Sequence, residues 1–270
     1  MAGGPNQQQD EFPWWLVAAT LIGVVLAILI AANGLYYQLF STVVKGVWTT
    51  LFVTVVGFSL SCLLGLCLAM LGLSDSKILR QIARFYVEII RGIPMLVLLF
   101  YIAFVGAPAI VATWNFLTSP LQTLGFFDPM IIRDFPLMWR AIVALMIGYS
   151  AFLSEVFRAG IQAVDKGQIE AAKSLGLSRW QRFRFVIFPQ AIRTILPPLG
   201  NDFIAMVKDS SLVSVLGVSD VTQLGKVYAS GSFRFFETYS IVAYIYLVMT
   251  IGLSLALRNL EKRLRKNEVR

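Results

Sequence analysis

Histidine is absent from the 270 residues. Without imidazole no Ser–His or Cys–His nucleophile pair can form, and the commonest metal-ligating side chain is missing. Cysteine is scarce. Cys62 and Cys67 lie five apart inside an apolar run, a spacing that fits neither a metal-ligand set nor a disulfide framework. Charge is scarce too: Asp, Glu, Lys and Arg make up 14% of the chain, against about 25% in soluble globular domains. A phosphate-cradling glycine loop is also lacking. The nearest approach is Gly225-Lys226, but Val227 follows where Ser or Thr is needed, and Asp220 stands where the motif has its first glycine. No catalytic residue and no metal site is therefore expected, and any nucleotide hydrolysis must come from a separate chain.

What the chain has in abundance is apolar length: 57% of it is hydrophobic. This predicts an all-α integral membrane protein with about six transmembrane helices and short loops. No soluble domain of about 100 residues, an ordinary domain size, fits between the apolar runs. Residues 1–13 are polar, rich in Gly and Gln, and lack the cationic start of a cleaved signal, so they read as a flexible segment. Residues 14–32 carry no charge and read as a retained N-terminal helix with Trp14 and Trp15 at an interface. Gly46 to Leu73 is long enough to span, with Gly57, Gly65 and Gly72 to let neighbours approach closely. A loop from Ser74 to Arg91 follows. The next span begins near Pro94 and is expected to end at Gly106 and Pro108, leaving 109–136 as an irregular outer segment or short interfacial helix. Leu137 to Ala163 is the fourth span. Phe188 to Met206 holds Pro189, Pro197, Pro198 and Gly200, which predicts a broken or kinked helix of the kind tolerated where backbone is buried or lines a wet cavity. Ser210 to Asp220 is expected to re-enter or lie at the interface, and Thr238 to Leu257 is the last span.

Basic residues cluster: four in 77–91, seven in 158–193 and six in 258–270, which is 17 of the 23 Lys and Arg. The positive-inside bias places those segments, the N-terminus and the basic tail 263–270 in the cytoplasm. The net charge of +8 needs no nucleic-acid partner; membrane lipid accounts for it.

The most informative stretch is polar, from Asp165 to Pro189. Asp165 with Gln168, then Ser178 with Gln181, have the form of two capping boxes. Gly176 stands where a helix commonly ends in a left-handed residue. The expected grammar is helix, glycine turn, helix. Within it, Glu170-Ala171-Ala172, Gly176 four residues on, and Val186-Ile187-Phe188-Pro189 resemble the EAA loop of ABC-importer permeases, with Val186 and Phe188 in place of the usual isoleucine and leucine. Glu88 to Pro94, Glu155 to Ile161, Leu196 to Asp202 and Lys208 to Leu212 resemble segments of the polar amino-acid (histidine, glutamine, arginine type) permease family.

That resemblance implies a type I ABC importer transmembrane domain over 41–262, with 14–32 as an additional helix. It implies a permease subunit in a bacterial inner membrane that binds no cofactor itself and works with an ABC ATPase dimer carrying ATP and Mg. It also implies a second permease subunit, a heterodimer being favoured, an extracytoplasmic substrate-binding protein and an amino-acid substrate. The loop 165–189 would be the coupling element, with Glu170, Ala171, Ala172, Lys173, Gly176, Arg179 and Arg182 facing the ATPase.

Ionisable groups at membrane depth are costly and mark function. Asn201, Asp202, Asp209 and Ser210 are the candidate substrate contacts, and a pair of carboxylates there favours a cationic amino acid, although Lys208 could neutralise one of them. Glu88 with Arg91, and Glu155 with Arg158, spaced i,i+3, are expected to be structural ion pairs. The alternative reading is an ion-gradient-driven secondary transporter of a small polar solute.

Overall fold

The computed structural model describes residues 14–266. The expected flexible segment 1–13 and the last four residues of the basic tail lie outside the described residues. Helix α1 (Trp14–Ala32) turns at Asn33, whose side chain accepts from the Leu35 N–H at 3.0 Å and starts α2 (Gly34–Val43). Helix α3 (Gly46–Gly72) is 27 residues long, about 40 Å, and matches the expected second span. Helix α4 (Lys77–Gly92) leads through Pro94 into α5 (Met95–Tyr101) and α6 (Ala107–Thr123). Helix α7 (Leu137–Gln162) precedes the short α8 (Lys166–Ser174) and α9 (Arg179–Arg182). Helix α10 (Phe188–Asp209), α11 (Val221–Ser232) and α12 (Phe235–Lys266) complete the chain. Among the described residues, four continuous helical stretches are long and apolar enough to cross a membrane: Gly34–Gly72, Met95–Thr123, Leu137–Gln162 and Phe235–Asn259. Of the other two helices expected to span, α1 has 19 residues and α10 carries Arg193, Asp202, Lys208 and Asp209.

The bundle is built on α3 against α7. Gly65 makes it possible: a Cβ there would stand 3.1 Å from both the Leu153 Cβ and the Ser150 carbonyl oxygen. Small residues at a membrane helix interface allow this approach, and close packing replaces the hydrophobic drive that lipid cannot supply. Val53, Leu99, Ile142, Leu145, Met206 and Val213 form the central core. At one end Leu39, Val43, Val221, Ile241 and Ile245 join α2, α11 and α12. At the other, Ala69, Leu153, Phe157, Ala191 and Ile195 join α3, α7 and α10. That second end also holds the C-termini of α3 and α7, since Gly72 faces the Arg158 side chain and Gly160 abuts Ile195.

Expectations about four segments are corrected in whole or in part. Residues 74–91 are not a loop: α4 occupies most of that stretch, with Ala83 and Val87 buried. Gly106 and Pro108 do not end a helix. A π turn at Ile102–Gly106 joins α5 to α6 in one continuous helical stretch, the Ala107 N–H bonding to the Ile102 carbonyl, and Pro108 follows directly after that turn. The outer segment is therefore helical to Thr123, and the chain then folds back. The Asn115 side chain holds Met130 by both its carbonyl oxygen and its N–H, each at 2.8 Å. Of the two forms expected for α10, broken or kinked, the broken one is corrected: the helix runs through Pro197 and Pro198. In hydrocarbon, opening the backbone would orphan more groups than the two proline nitrogens do. The irregular backbone is displaced to a π turn at Phe183–Ile187 and a 3-10 stretch at Ser210–Leu216. That last stretch is buried in protein at Ser210, Val213, Ser214 and Leu216, rather than lying at the interface.

Gly217 ends it with φ +80°, and Asp220 then caps α11. Asp220 is fully buried and accepts from the N–H groups of Gln223 (2.8 Å) and Thr222 (3.1 Å) and from the Tyr246 hydroxyl (3.1 Å). Thr50 of α3 accepts from the Val221 N–H at 3.3 Å. Beside it Gly46 lies directly against the Asp220–Val221 backbone.

Candidate functional site

The segment 165–189 folds as helix, glycine turn and helix, with one of its two expected capping boxes complete and the Asp165 cap formed without the return bond from Gln168. Asp165 accepts from the Gln168 N–H at 3.3 Å and starts α8. At the other end Gly176 has φ +75°, its N–H bonds to the Lys173 carbonyl at 3.0 Å, and the Leu177 N–H bonds to the Ala172 carbonyl at 3.2 Å. This is a Schellman closure, which needs a left-handed residue at that position. Ser178 and Gln181 then form a complete capping box, Ser178 Oγ accepting from the Gln181 N–H and Gln181 Oε1 from the Ser178 N–H. Glu170, Ala171, Lys173, Gly176 and Arg179 are exposed, and Glu170, Lys173 and Arg179 form no ion pair among the described residues.

Two expected coupling residues are placed differently. Ala172 is only 4% exposed and faces its own chain, so Ala171 alone of the alanine pair lies on the outward side. Arg182 is half-buried, and its Nε has no hydrogen-bond partner. The sequence reading also passed over two apolar side chains on this segment. Leu175 is 81% exposed and Trp180 65% exposed. Their signal was available: large apolar residues inside a polar, capped turn have no local core to enter.

The membrane-depth candidates separate into two sets. Asp202 and Asp209, seven residues apart on α10, open into one cavity of about 250 Å³ with Tyr149, Phe152, Ile93 and Met95. Tyr149 donates its hydroxyl to Asp209 Oδ2 at 2.7 Å. Gly148 leaves room for Met95, which would otherwise collide with a Cβ. Neither carboxylate is ion-paired among the described residues, so Lys208 neutralises neither. Asn201 is exposed and does not line this cavity. Ser210 is buried and spends its hydroxyl on the Val207 carbonyl at 2.7 Å. The cavity thus offers two carboxylates in an apolar wall, a setting that favours a positively charged group.

Of the expected ion pairs, Glu155 and Arg158 form one. Glu88 and Arg91 do not: Arg91 stacks its guanidinium over the Phe152 ring, 5.5 Å from the centroid, which turns it away from Glu88. All four of these side chains border a second cavity, between α3, α4 and α7. Among the described residues no group of His, Cys, Asp and Glu could hold a metal.

Residues 61–266 match the family described as binding-protein-dependent transport system inner membrane component. The glutamine transport system permease protein GlnP of Escherichia coli (strain K12) is 35% identical over 222 residues, covering 82% of this chain and 92% of GlnP. The probable glutamine ABC transporter permease protein GlnM of Bacillus subtilis (strain 168) is 37% identical over 228 residues, 84% of this chain and 95% of GlnM. A crystal structure of an amino acid ABC transporter with histidines superposes with a TM-score of 0.68 at 39% identity, covering 84% of this chain and 95% of that one. Long apolar helices, a capped polar segment and a cavity with two carboxylates thus occur in a chain similar over most of its length to amino-acid permeases. The chain belongs to the binding-protein-dependent transport system inner membrane component family, as a non-enzymatic permease subunit of an ABC amino-acid importer.

Proposed function

We propose that this permease moves cationic amino acids past Asp202 and Asp209 and is driven through α8 and α9 by a separate ATPase. The observation that carries the substrate reading is the shared cavity: two carboxylates without a cationic partner open into one apolar-walled space. A guanidinium or ammonium group would meet both charge and shape there.

The coupling reading rests on exposed, unpaired charges at Glu170, Lys173 and Arg179, the outward Leu175 and Trp180, and the rigid glycine closure. ATP and Mg would be held by that ATPase. Substrate would arrive from an extracytoplasmic binding protein. The segments 77–91, 158–193 and 258–270 carry 17 of the 23 basic residues, which supports a cytoplasmic placement of α8 and of the C-terminus. Pairing with a different permease chain, rather than a second copy, is part of this reading. The extra α1 and the folded-back segment after α6 look like specialisation of one member of a pair. The alternative of an ion-gradient-driven carrier has no support in the relatives.

The test is a pull-down from detergent extract with mass spectrometry, comparing the parent chain with a Glu170→Ala, Gly176→Val double variant. Recovery of an ATPase with the parent and its loss with the variant is the expected result, and the same sample reveals any second permease. An ATPase retained equally by both would remove α8 from the docking surface.

A further inference from the structure

Helix α4 has three faces. Ala83 and Val87 are buried against the bundle. Arg80, Arg84, Glu88 and Arg91 recur at i, i+4, i+8 and i+11 and border the cavity of about 410 Å³ between α3, α4 and α7. Ile78, Ile82, Phe85 and Ile89 recur at i, i+4, i+7 and i+11 and are exposed. Two such stripes on one helix are the mark of an element lying at a membrane surface, with an apolar side in the acyl region and a basic side at headgroup level.

The basic cavity is not neutralised from within. Arg158, from α7, also borders it, so four guanidinium groups face the two carboxylates of Glu88 and Glu155 and leave two positive charges in excess. Arg158 is committed to Glu155. Arg80 Nη1 donates to the carbonyl oxygens of Ser74 (2.8 Å) and Asp75 (3.1 Å), and Arg91 is stacked on Phe152. Arg84 has no hydrogen bond or ion pair among the described residues. Gln81 borders this cavity and also the apolar groove that runs over Ile78, Ile82 and Phe85. The charged space and the apolar groove therefore meet along one edge of α4.

We infer that this junction binds one anionic phospholipid, its phosphate in the arginine cavity beside Arg84 and an acyl chain crossing Gln81 onto Ile78, Ile82 and Phe85. The occupant is assigned by complementarity: a site with excess positive charge opens onto an apolar groove in a membrane-spanning chain. Guanidinium groups match phosphate oxygens by geometry as well as charge. A free phosphate shares the headgroup chemistry but leaves the groove uncovered. The inference rests on the membrane placement of the chain and on neither the substrate nor the ATPase reading, so its failure and theirs are separable.

The test uses the whole importer complex in nanodiscs of phosphatidylcholine with 20% phosphatidylglycerol, or of phosphatidylcholine alone, the dose being on the order of natural anionic content. Retained lipid is counted by native mass spectrometry after mild release. The parent complex is expected to keep phosphatidylglycerol preferentially. Arg84→Gln is expected to cut that retention about fivefold, the loss of one basic contact at the surface, and Arg84→Lys to restore most of it. Ile82→Ser, which leaves every charge in place, is expected to weaken retention as well. Thermal unfolding of each variant complex checks that the fold is intact. Equal retention by the parent and Arg84→Gln would overturn the inference. So would equal retention of phosphatidylcholine and phosphatidylglycerol, or full displacement by millimolar inorganic phosphate with no effect of Ile82→Ser, which identifies a free-ion site. A crosslink that places a second permease chain over Ile82 and Phe85 would overturn it too.

Discussion

Tyr149 and Asp209, 60 residues apart, are joined by a hydrogen bond of 2.7 Å that ties the middle of α7 to the point where α10 gives way to a 3-10 stretch. A hydroxyl donating to a carboxylate contributes about 1.5–3 kcal/mol. Tyr149→Phe is expected to lower the thermal stability of the purified complex by an amount in that range. Unfolding followed in detergent is the measurement, and an unchanged midpoint would show that the bond adds nothing net.

Asp202→Asn keeps the size of the side chain and removes its charge. Uptake of arginine and lysine into proteoliposomes is expected to fall about tenfold or more, equivalent to ~1.4 kcal/mol, while glutamine uptake changes little. Uptake of every amino acid left as in the parent would take Asp202 out of the substrate path.

Gly176 has open space around it, so substitution there is a matter of backbone alone. A φ of +75° costs an ordinary L-residue about 1–2 kcal/mol, with asparagine the least penalised and β-branched residues the most. Gly176→Asn is expected to retain most of the ATPase stimulation by loaded binding protein, and Gly176→Val to lose it. Equal stimulation in the two would mean that the closure of α8 is not needed for coupling.

Leu175→Ala and Trp180→Ala remove mostly exposed apolar area, Trp180 giving up in addition its stacking on Phe183. Each is expected to weaken recovery of the ATPase in a pull-down, by about 1–3 kcal/mol for an apolar anchor of this size, with insertion and thermal stability unaffected.

Gly46 is pressed against backbone, not side chain: an added Cβ would lie 2.5 Å from the carbonyl carbon of Asp220 and 2.7 Å from its oxygen. Backbone cannot rotate aside as a side chain can. Gly46→Ala is expected to destabilise the complex by about 1–3 kcal/mol or more, whereas Gly23→Ala, with nothing nearby, leaves it unchanged. Parallel melting curves decide it.

Much of this was legible in the residues. The glycine closure at Gly176, the box of Ser178 with Gln181 and the bounds of α3 and α7 follow from local rules that the tertiary context leaves alone. The errors share one cause. Gly106 and Pro108 were read as stops, and Pro197 and Pro198 as a break or kink, because in water a lost ladder bond is replaced by solvent. In lipid no replacement exists, so the helix holds and a π turn or a 3-10 stretch nearby absorbs the misfit. Helix α4 was read as a loop from its charges, although the recurrence of Ile78, Ile82, Phe85 and Ile89 was already in the sequence. The missing Glu88–Arg91 pair was not legible, because Phe152, which captures Arg91, comes from another helix 61 positions away.

The close fit of Gly65 against Leu153 and Ser150 has a mechanical consequence. Two long helices meshed this closely resist sliding past one another, so α3 and α7 act together as one beam. Only Ala163, Val164 and Asp165 separate that beam from α8, and Val164 is itself buried. Tyr149 stands 13 positions above the beam's lower end at Gln162, about 20 Å along the axis. If α8 is where the ATPase docks, a tilt imposed there would pass through the short 163–165 connection and reach the carboxylate cavity as a sideways displacement.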